Sequence, residues 1–445
     1  MANFAIRDSE RVTRWTNWSG TVHADVQVAA PATVAELQRT LVDAARRGQR
    51  VKPIGAGHSF TAIGATDGLQ LRLHRLAGIV AADRETGLVT VLAGTRLHAL
   101  NEALWELGLA MPNLGDVDVQ TISGAISTGT HGTGLRLGGL ATAVHGLELV
   151  LADGSLLRCS ADKPEDAELF AAARVGLGAL GVIATVTLQC VPAFALAAAE
   201  APASLDDVLA DLDETLLGND HFEFYWFPHT RRVLTKRNNR VLPGTALQPI
   251  GRLRGWFEDE FLSNTVYDRV NRLTTRYPRI IPGANAFAAR ALSARDYIDR
   301  SYRVFASPRS VVFREMEYAV PRAAVPDLLA GVEKYLVRSG EQIGFPVEVR
   351  FAAADDIWLS TAYGRETGYV AVHQYHRRSH DAYFHAVERL ACDLGGRPHW
   401  GKLHYQDAAA LRAAYPRFDD FLAVRDKLDP QRVFGNEYLQ TVLGS

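Results

Sequence analysis

The chain holds 445 residues, and its 48 lysines and arginines against 50 aspartates and glutamates leave a formal charge of −2. A hydrophobic share of 47% beside 22% charged residues is that of an ordinary folded protein, which excludes disorder, collagen and coiled coil, and the length predicts two or three domains. So even a charge balance gives no electrostatic ground for nucleic acid or an acidic membrane as the main partner.

In chain order, the first predicted element is a helix opening at a capping box, Thr33 to Glu36, in which each residue satisfies the other's orphan donor. Val34, Leu37, Leu41 and Ala44 follow helical spacing until Gly48. Val51–Ile54 reads as a short buried strand running into Gly55-Ala56-Gly57-His58-Ser59, and Gln70–Leu73 with Leu88–Leu92 as a second strand pair. A helix is expected over Leu97–Leu107. Val144–Ala152 and Leu156–Cys159 flank an Asp153-Gly154 turn, a hairpin signature. Glu165–Arg174 reads as a helix and Val182–Val191 as a β-branched strand. The first 192 residues mix α and β without the regular alternation of a doubly wound sheet, so the fold class is α+β.

The alanine-rich stretch from Pro192 to Pro202 reads as a domain boundary. Beyond it come an aromatic strand, Phe222–Phe227, and an arginine-rich stretch over 231–256. Arg314–Val320, Val347–Phe351 and Tyr369–Tyr375 are expected as strands and Ala324–Arg338 and Tyr383–Leu394 as helices, giving a second domain with an antiparallel sheet. The basic cluster Arg231, Arg232, Lys236, Arg237 and Arg240 reads as a solvated face rather than a docking patch. Cys159, Cys190 and Cys392 form no CxxC pair, which fits a reducing compartment. The charged N-terminus is no secretory signal, and no apolar run is long enough to span a membrane; a cytoplasmic protein is expected, with the Asn17-Trp18-Ser19 sequon a coincidence.

Several glycine-rich segments have the composition to cradle a phosphate. Gly176–Gly181 satisfies GxGxxG, but a helix precedes it and a strand follows, the reverse of the dinucleotide-binding order. No P-loop is present, since Gly401-Lys402 is followed by Leu403. Gly129–Gly134 is dense in small residues whose amides can approach an anion with no Cβ in the way, and together with Gly55–Ser59 it favours a dinucleotide over an empty surface loop.

Pro53-Ile54-Gly55-Ala56-Gly57-His58-Ser59-Phe60 resembles the flavin-attachment loop of the vanillyl-alcohol-oxidase-type FAD proteins, and within them the sugar-1,4-lactone oxidases and dehydrogenases. The likeness continues through Asn113-Leu114-Gly115-Asp116, Ser123-Gly124-Ala125, Thr130-His131-Gly132-Thr133-Gly134 and Leu177–Val182, and closes with Arg397-Pro398-His399-Trp400-Gly401-Lys402. The alditol oxidases share much of this pattern. The resemblance implies a two-domain fold: an FAD-binding domain over 10–192, a substrate domain over 193–404, and a C-terminal segment, 405–445, that returns to the first.

It further implies FAD bound covalently through His58, with contacts from Ile54, Gly55, Ala56, Gly57 and Ser59, and from Gly115, Asp116, Thr121, Ser123 and Gly124. Ser127, Thr128, Thr130, His131, Gly132, Gly134, Gly178, Gly181, Val182 and Lys402 complete the implied cofactor set. Metal binding is not expected, because the histidines lack the spacing and carboxylate company of zinc sites.

On the substrate side, Glu348 and Arg350 alternate with apolar neighbours and share one strand face, as do Tyr369, Ala371, His373 and Tyr375. A solvent-facing antiparallel sheet has the same alternation. The resemblance turns that face into an active site: Glu348 and Arg350 hold and polarise a secondary hydroxyl, His373 assists, Lys402 stabilises the reduced flavin, and Thr121, Tyr375 and His399 contact substrate. The implied reaction is hydride transfer from an aldono-1,4-lactone to flavin N5, with oxygen or a protein or quinone acceptor taking the electrons. The alternatives are an alditol oxidase and a non-catalytic flavin- or nucleotide-binding protein.

Overall fold

The computed structural model describes residues 12–251, 267–306 and 311–445, so the arginine-rich residues 252–256 lie outside the described part. A four-stranded sheet is built from β1 (Val12–Thr16), β2 (His23–Ala29), β3 (Val51–Ile54) and β4 (Leu69–Arg72) in the order β1-β2-β4-β3. The helix Val34–Arg46 joins β2 to β3. Its Thr33 Oγ1 accepts from Glu36 N at 3.1 Å, and Glu36 Oε2 accepts from Ala32 N at 2.7 Å, one residue earlier than the predicted box. Leu37, Leu41 and Ala44 form its buried stripe.

The next elements are β5 (Ile79–Ala82), β6 (Leu88–Leu92), β7 (Leu109–Ala110), β8 (Val144–Val150), β9 (Leu156–Ser160), β10 (Val182–Gln189) and β11 (Val191–Pro192). Five of them make an antiparallel sheet, β5-β6-β10-β8-β9, while β7 pairs with β11. The expected pairing of the two apolar runs is therefore wrong. β4 lies parallel between β2 and β3 and is buried on both faces, whereas β6 alternates buried and half-buried residues beside β10. Each run is a strand, but four or five apolar residues do not encode a partner.

An eight-stranded antiparallel sheet follows: β12 (Ala195–Ser204), β13 (His221–Trp226), β14 (Arg232–Arg240), β15 (Arg295–Arg300), β16 (Phe313–Pro321), β17 (Val347–Ala352), β18 (Thr367–Tyr375) and β19 (Arg397–Pro398). Its order is β15-β12-β14-β13-β17-β18-β16-β19. The alanine-rich stretch read as a boundary is β12 itself, with Leu196, Ala198 and Glu200 turned inward. The basic cluster is likewise not one solvated face: Lys236 is largely buried, 3.5 Å from Glu223, and Arg237 and Arg240 lie over the Phe222 and Phe194 rings.

Helices Val325–Ser339 and Asp381–Asp393 pack Leu328, Val332 and Phe384 onto one face of this sheet, against Met316, Val349 and Val372. The other face turns toward the loops of the first half of the chain, where Gly134 N donates to Phe351 O at 2.8 Å. The C-terminal helices return to the first core, which includes Leu411, Phe421 and Leu439 alongside Leu37 and Val51. The buried Lys52 Nζ secures that return by donating to Phe434 O at 3.1 Å and Gly178 O at 3.2 Å. Among the described residues no helix is long and apolar enough to cross a membrane.

Candidate active site

Two cavities meet at His58. The first is a groove under the C-terminal end of β3, walled by Ile54 through Ser59, by Thr121, Ser123, Gly124, Ser127 and Thr128, and by Gly178 and Gly181. Its geometry depends on absent side chains. A Cβ on Gly55 would stand 2.3 Å from Thr121 Oγ1, and Gly57 and Gly178 have φ of +69° and +61°, the left-handed region glycine enters without strain. The loop's carbonyls are tied down: Gly57 O accepts from Trp18 N at 2.8 Å, Ser59 O from Asn17 Nδ2 at 3.0 Å and Phe60 O from Thr21 Oγ1 at 2.7 Å. The amides of Ala56, Gly57, His58 and Ser59 donate to no described protein group. A run of free amides on a loop held by its carbonyls is what an anionic phosphate group requires. Asn17 is consumed by that scaffold, which accounts for the sequon.

His58 closes the groove. Its ring stacks on Trp18 at 5.3 Å and 20°. Burial, with Lys402 and Arg96 nearby, pushes its imidazole down to about 4, so the ring is neutral at pH 7. No described protein group hydrogen-bonds to it.

The second cavity shares His58, Ser59, Gln120 and Thr128 with the groove and reaches under the large sheet. Gly115, Asp116, Thr130 and His131 wall it from one side, and Glu315, Glu317, Glu348, Arg350, His399 and Lys402 from the other. Strand register assembles the second group. Glu348 pairs with Ala371 and Arg350 with Tyr369, while Glu315 and Glu317 pair with His373 and Ala371, so one face carries them all. Gly401 O accepts from Phe60 N at 2.7 Å, which draws the Lys402 turn against the His58 loop.

Arg350 is the most heavily paired group. Its Nε donates to Glu223 Oε2 at 3.0 Å, and its Nη2 contacts both Asp116 and Glu348. Burial opposes its charge, yet Asp116, Glu348 and Glu223 outweigh that and hold the guanidinium well above its ordinary value. Lys402 Nζ stands 2.5 Å from Glu315 Oε2. Burial works against this ammonium too, and Glu315 and Glu317 raise it nonetheless. Glu315 itself is held down to about 2, against the penalty of burial, by Lys402 and His373.

His131 Nε2 lies 2.9 Å from Glu317 Oε1, with its ring stacked 3.5 Å from Tyr369. His399 Nδ1 accepts from Gly401 N at 3.0 Å, leaving the proton of the neutral ring on Nε2; burial pushes this imidazole down to about 4. His131, Glu317 and His399 bring potential metal-binding atoms within 4.8 Å of one another. That tautomer makes His399 Nε2 a donor rather than a ligand, and the hydrogen bond within the trio is the one between His131 and Glu317.

Not every predicted residue reaches a cavity. Tyr375 sits among Phe60, Phe313 and Phe345 with its hydroxyl donating to Asp268 at 2.7 Å, because it lies past the point where β18 leaves β17. His373 stands behind the wall, its Nδ1 donating to Pro346 O at 3.1 Å. Thr121 walls the groove and caps the helix Ile122–Ser127. Gly132, Gly134 and Val182 line neither cavity. The first packs on Leu114 O, the second joins the large sheet, and Val182 is a core residue of β10. Conversely, Glu223, Glu315, Glu317 and Trp18 were not anticipated. Their signal was available: Glu223 is the lone charge in an aromatic strand, and Glu315 and Glu317 share one face of theirs.

Comparison with known proteins agrees with this architecture. The D-arabinono-1,4-lactone oxidase family profile matches residues 186–442, and an FAD binding domain profile matches 26–160. The chain is 45% identical to an L-gulono-1,4-lactone dehydrogenase of Mycobacterium tuberculosis, covering 97% of this chain and 99% of the relative. It is 34% identical to the L-gulonolactone oxidase of Mus musculus, covering 96% and 98%. Among solved structures, cholesterol oxidase from B. sterolicum superposes with a TM-score of 0.82 at 19% identity over 97% of each chain, a likeness of fold.

Proposed function

The chain belongs to the D-arabinono-1,4-lactone oxidase family, and from that premise we propose that it oxidises a secondary alcohol of an aldono-1,4-lactone with bound FAD. One observation carries the reading: the cavity that shares His58 with the glycine groove is lined by Glu348, Arg350 and Lys402 together. The division of labour is an FAD domain over 10–192, a substrate domain over 193–404, and the segment 405–445 rejoining the first.

The residues present fit the cofactor. The free amides of Ala56–Ser59 would hold its pyrophosphate, and the neutral His58, with both ring nitrogens unengaged, is suited to carry a covalent bond to the flavin's 8α carbon. When bound, FAD supplies the hydride acceptor, N5. The chain's own part is to prepare the alcohol. Arg350, immobilised by three carboxylates, donates to the substrate oxygen. Glu348 accepts the hydroxyl proton, a role for which its contact with Arg350, held in turn by Asp116 and Glu223, positions it. His399 offers its Nε2 proton to a ring or carbonyl oxygen of the lactone. Lys402, lining the same cavity, would supply a fixed cation to balance the negative charge of a reduced flavin. Oxygen or another acceptor then takes the electrons.

The test is anaerobic mixing with L-gulono-, D-arabinono- and L-galactono-1,4-lactone and with matched alditols. The lactones should bleach the flavin band and the alditols should not; bleaching by alditols alone would reassign the substrate class. Acid-precipitated protein should stay yellow, and His58→Ala should release its flavin. A mutant that kept covalent flavin would move the attachment elsewhere.

A further inference from the structure

We propose that Glu315 is the built-in counter-ion of Lys402, a positioning residue that limits the positive charge the lysine presents to the flavin; this rests on the reading that Lys402 faces the flavin. The pairing is constructed from the main chain outward. Lys402 sits on the turn that follows β19, and β16 holds that turn at two points: His399 N donates to Glu317 O at 3.0 Å, and Leu403 N donates to Glu315 O at 2.9 Å. The residues whose carbonyls hold the turn are the ones whose carboxylates face into the cavity.

The two carboxylates are not equivalent. Glu317 is engaged by His131 Nε2 at 2.9 Å. Glu315 directs Oε2 at Lys402 Nζ, 2.5 Å away, and keeps Oε1 3.5 Å from His373 Nε2. The Glu315 side chain is only 7% exposed against 23% for Lys402, so the carboxylate is the fixed inner member and the ammonium the outer one. A buried cation with an anion in contact acts at a distance as a dipole, whose field is weaker than that of the free charge. His373 thereby acquires a place in the site although it stands behind the cavity wall: it flanks the far side of Glu315.

Replacing Glu315 by glutamine keeps the shape and both main-chain bonds and removes the counter-charge, so Lys402 should act on the flavin with its full charge. Sulfite, an anion that binds at flavin N5, reads that charge without turnover. Titrated into the holoenzyme, sulfite should bind Glu315→Gln about tenfold more tightly than wild type, and Lys402→Met about tenfold more weakly. Glu315→Asp, which draws the carboxylate back by one methylene, should shift affinity in the same direction as Gln by about twofold, and it serves if the Gln variant does not fold. In the double variant Glu315→Gln/Lys402→Met, the gain should disappear. Lys402→Met weakening sulfite while neither Glu315 variant tightens it would overturn the counter-ion proposal and leave the flavin-facing lysine intact. Unchanged sulfite affinity in Lys402→Met, with a raised lactone KM, would overturn the reading beneath it and the proposal with it.

Discussion

The two cavities that meet at His58 solve their problems with opposite materials. The groove is made of backbone: glycines at positive φ, unengaged amides, and a threonine that a single methyl group on Gly55 would displace. The neighbouring cavity is made of charges taken out of water. Glu223, Glu315, Glu317 and Glu348 are each 5–6% exposed, with Arg350 at 8%. A backbone site tolerates no added volume, whereas a charged site tolerates no lost partner, because a buried charge stripped of its counter-ion is expensive. Substitutions in the groove should therefore cost cofactor, and substitutions in the cavity should cost rate while the cofactor stays.

The sharpest break should come from Glu348. Glu348→Gln removes the proposed proton acceptor and should slow anaerobic flavin reduction by roughly 10²–10⁴-fold with flavin content unchanged. A stopped-flow rate equal to wild type would remove Glu348 from the chemistry. Gly55→Ala is the mirror test. Its Cβ, 2.3 Å from Thr121 Oγ1, must displace the cap of the helix Ile122–Ser127, at a cost of about 1–3 kcal/mol. The purified variant should carry markedly less FAD per chain by absorbance, and its flavin-bearing fraction should turn over near the wild-type rate. Full loading would mean that the groove is less tightly built than its glycines indicate.

Glu223 gives a smaller effect of the second kind. It touches Arg350 Nε, and Glu223→Gln keeps the hydrogen bond while removing one of three carboxylates. Flavin content should be unchanged and kcat/KM should fall about tenfold, in the range of one charge-assisted hydrogen bond. A drop in flavin content instead would blur the division between the cavities.

The smallest effect is on stability. Burial pushes His399 and His404 down to about 4, below the ordinary value near 6.5. Between these values the unfolded chain binds protons that the folded chain refuses, so stability falls as pH drops through that window. Moving from pH 7 to pH 5 should cost on the order of 1–2 kcal/mol per histidine, read as a lower urea midpoint. His404, whose Nε2 lies 2.9 Å from the Tyr438 hydroxyl outside both cavities, isolates the effect: His404→Gln should flatten part of the slope. An unaltered slope would assign the acid sensitivity elsewhere.

The same contrast explains what the sequence made legible. A backbone-built site leaves a local signature, so Gly55–Ser59, Gly124 and Gly178 stood out and do wall the groove. A charge-built site is assembled across strands. The alternation around Glu348 and Arg350 identified a face, but the partners of Arg350, Glu223 and Asp116, and the partner of Lys402, Glu315, come from three distant segments. Pairing between β4 and β6 was misjudged for the same reason, since apolar runs mark strands without naming neighbours. Tyr375 was misjudged because period two extends a face along a strand past the end of its neighbour. Lys236 was read as solvated because a basic cluster gives no hint that one member meets a buried glutamate.

In the proposed reaction the charged cavity holds a lactone carbinol whose carbon-bound hydrogen passes to bound FAD. A lactone deuterated at the carbinol carbon, mixed anaerobically with wild-type protein in a stopped-flow instrument, tests that claim directly. The flavin band should bleach in a single turnover several-fold more slowly than with the protiated lactone. Bleaching at the same rate with both would show that breaking the carbon–hydrogen bond does not limit reduction, and the absence of bleaching with any lactone would contradict the claim outright.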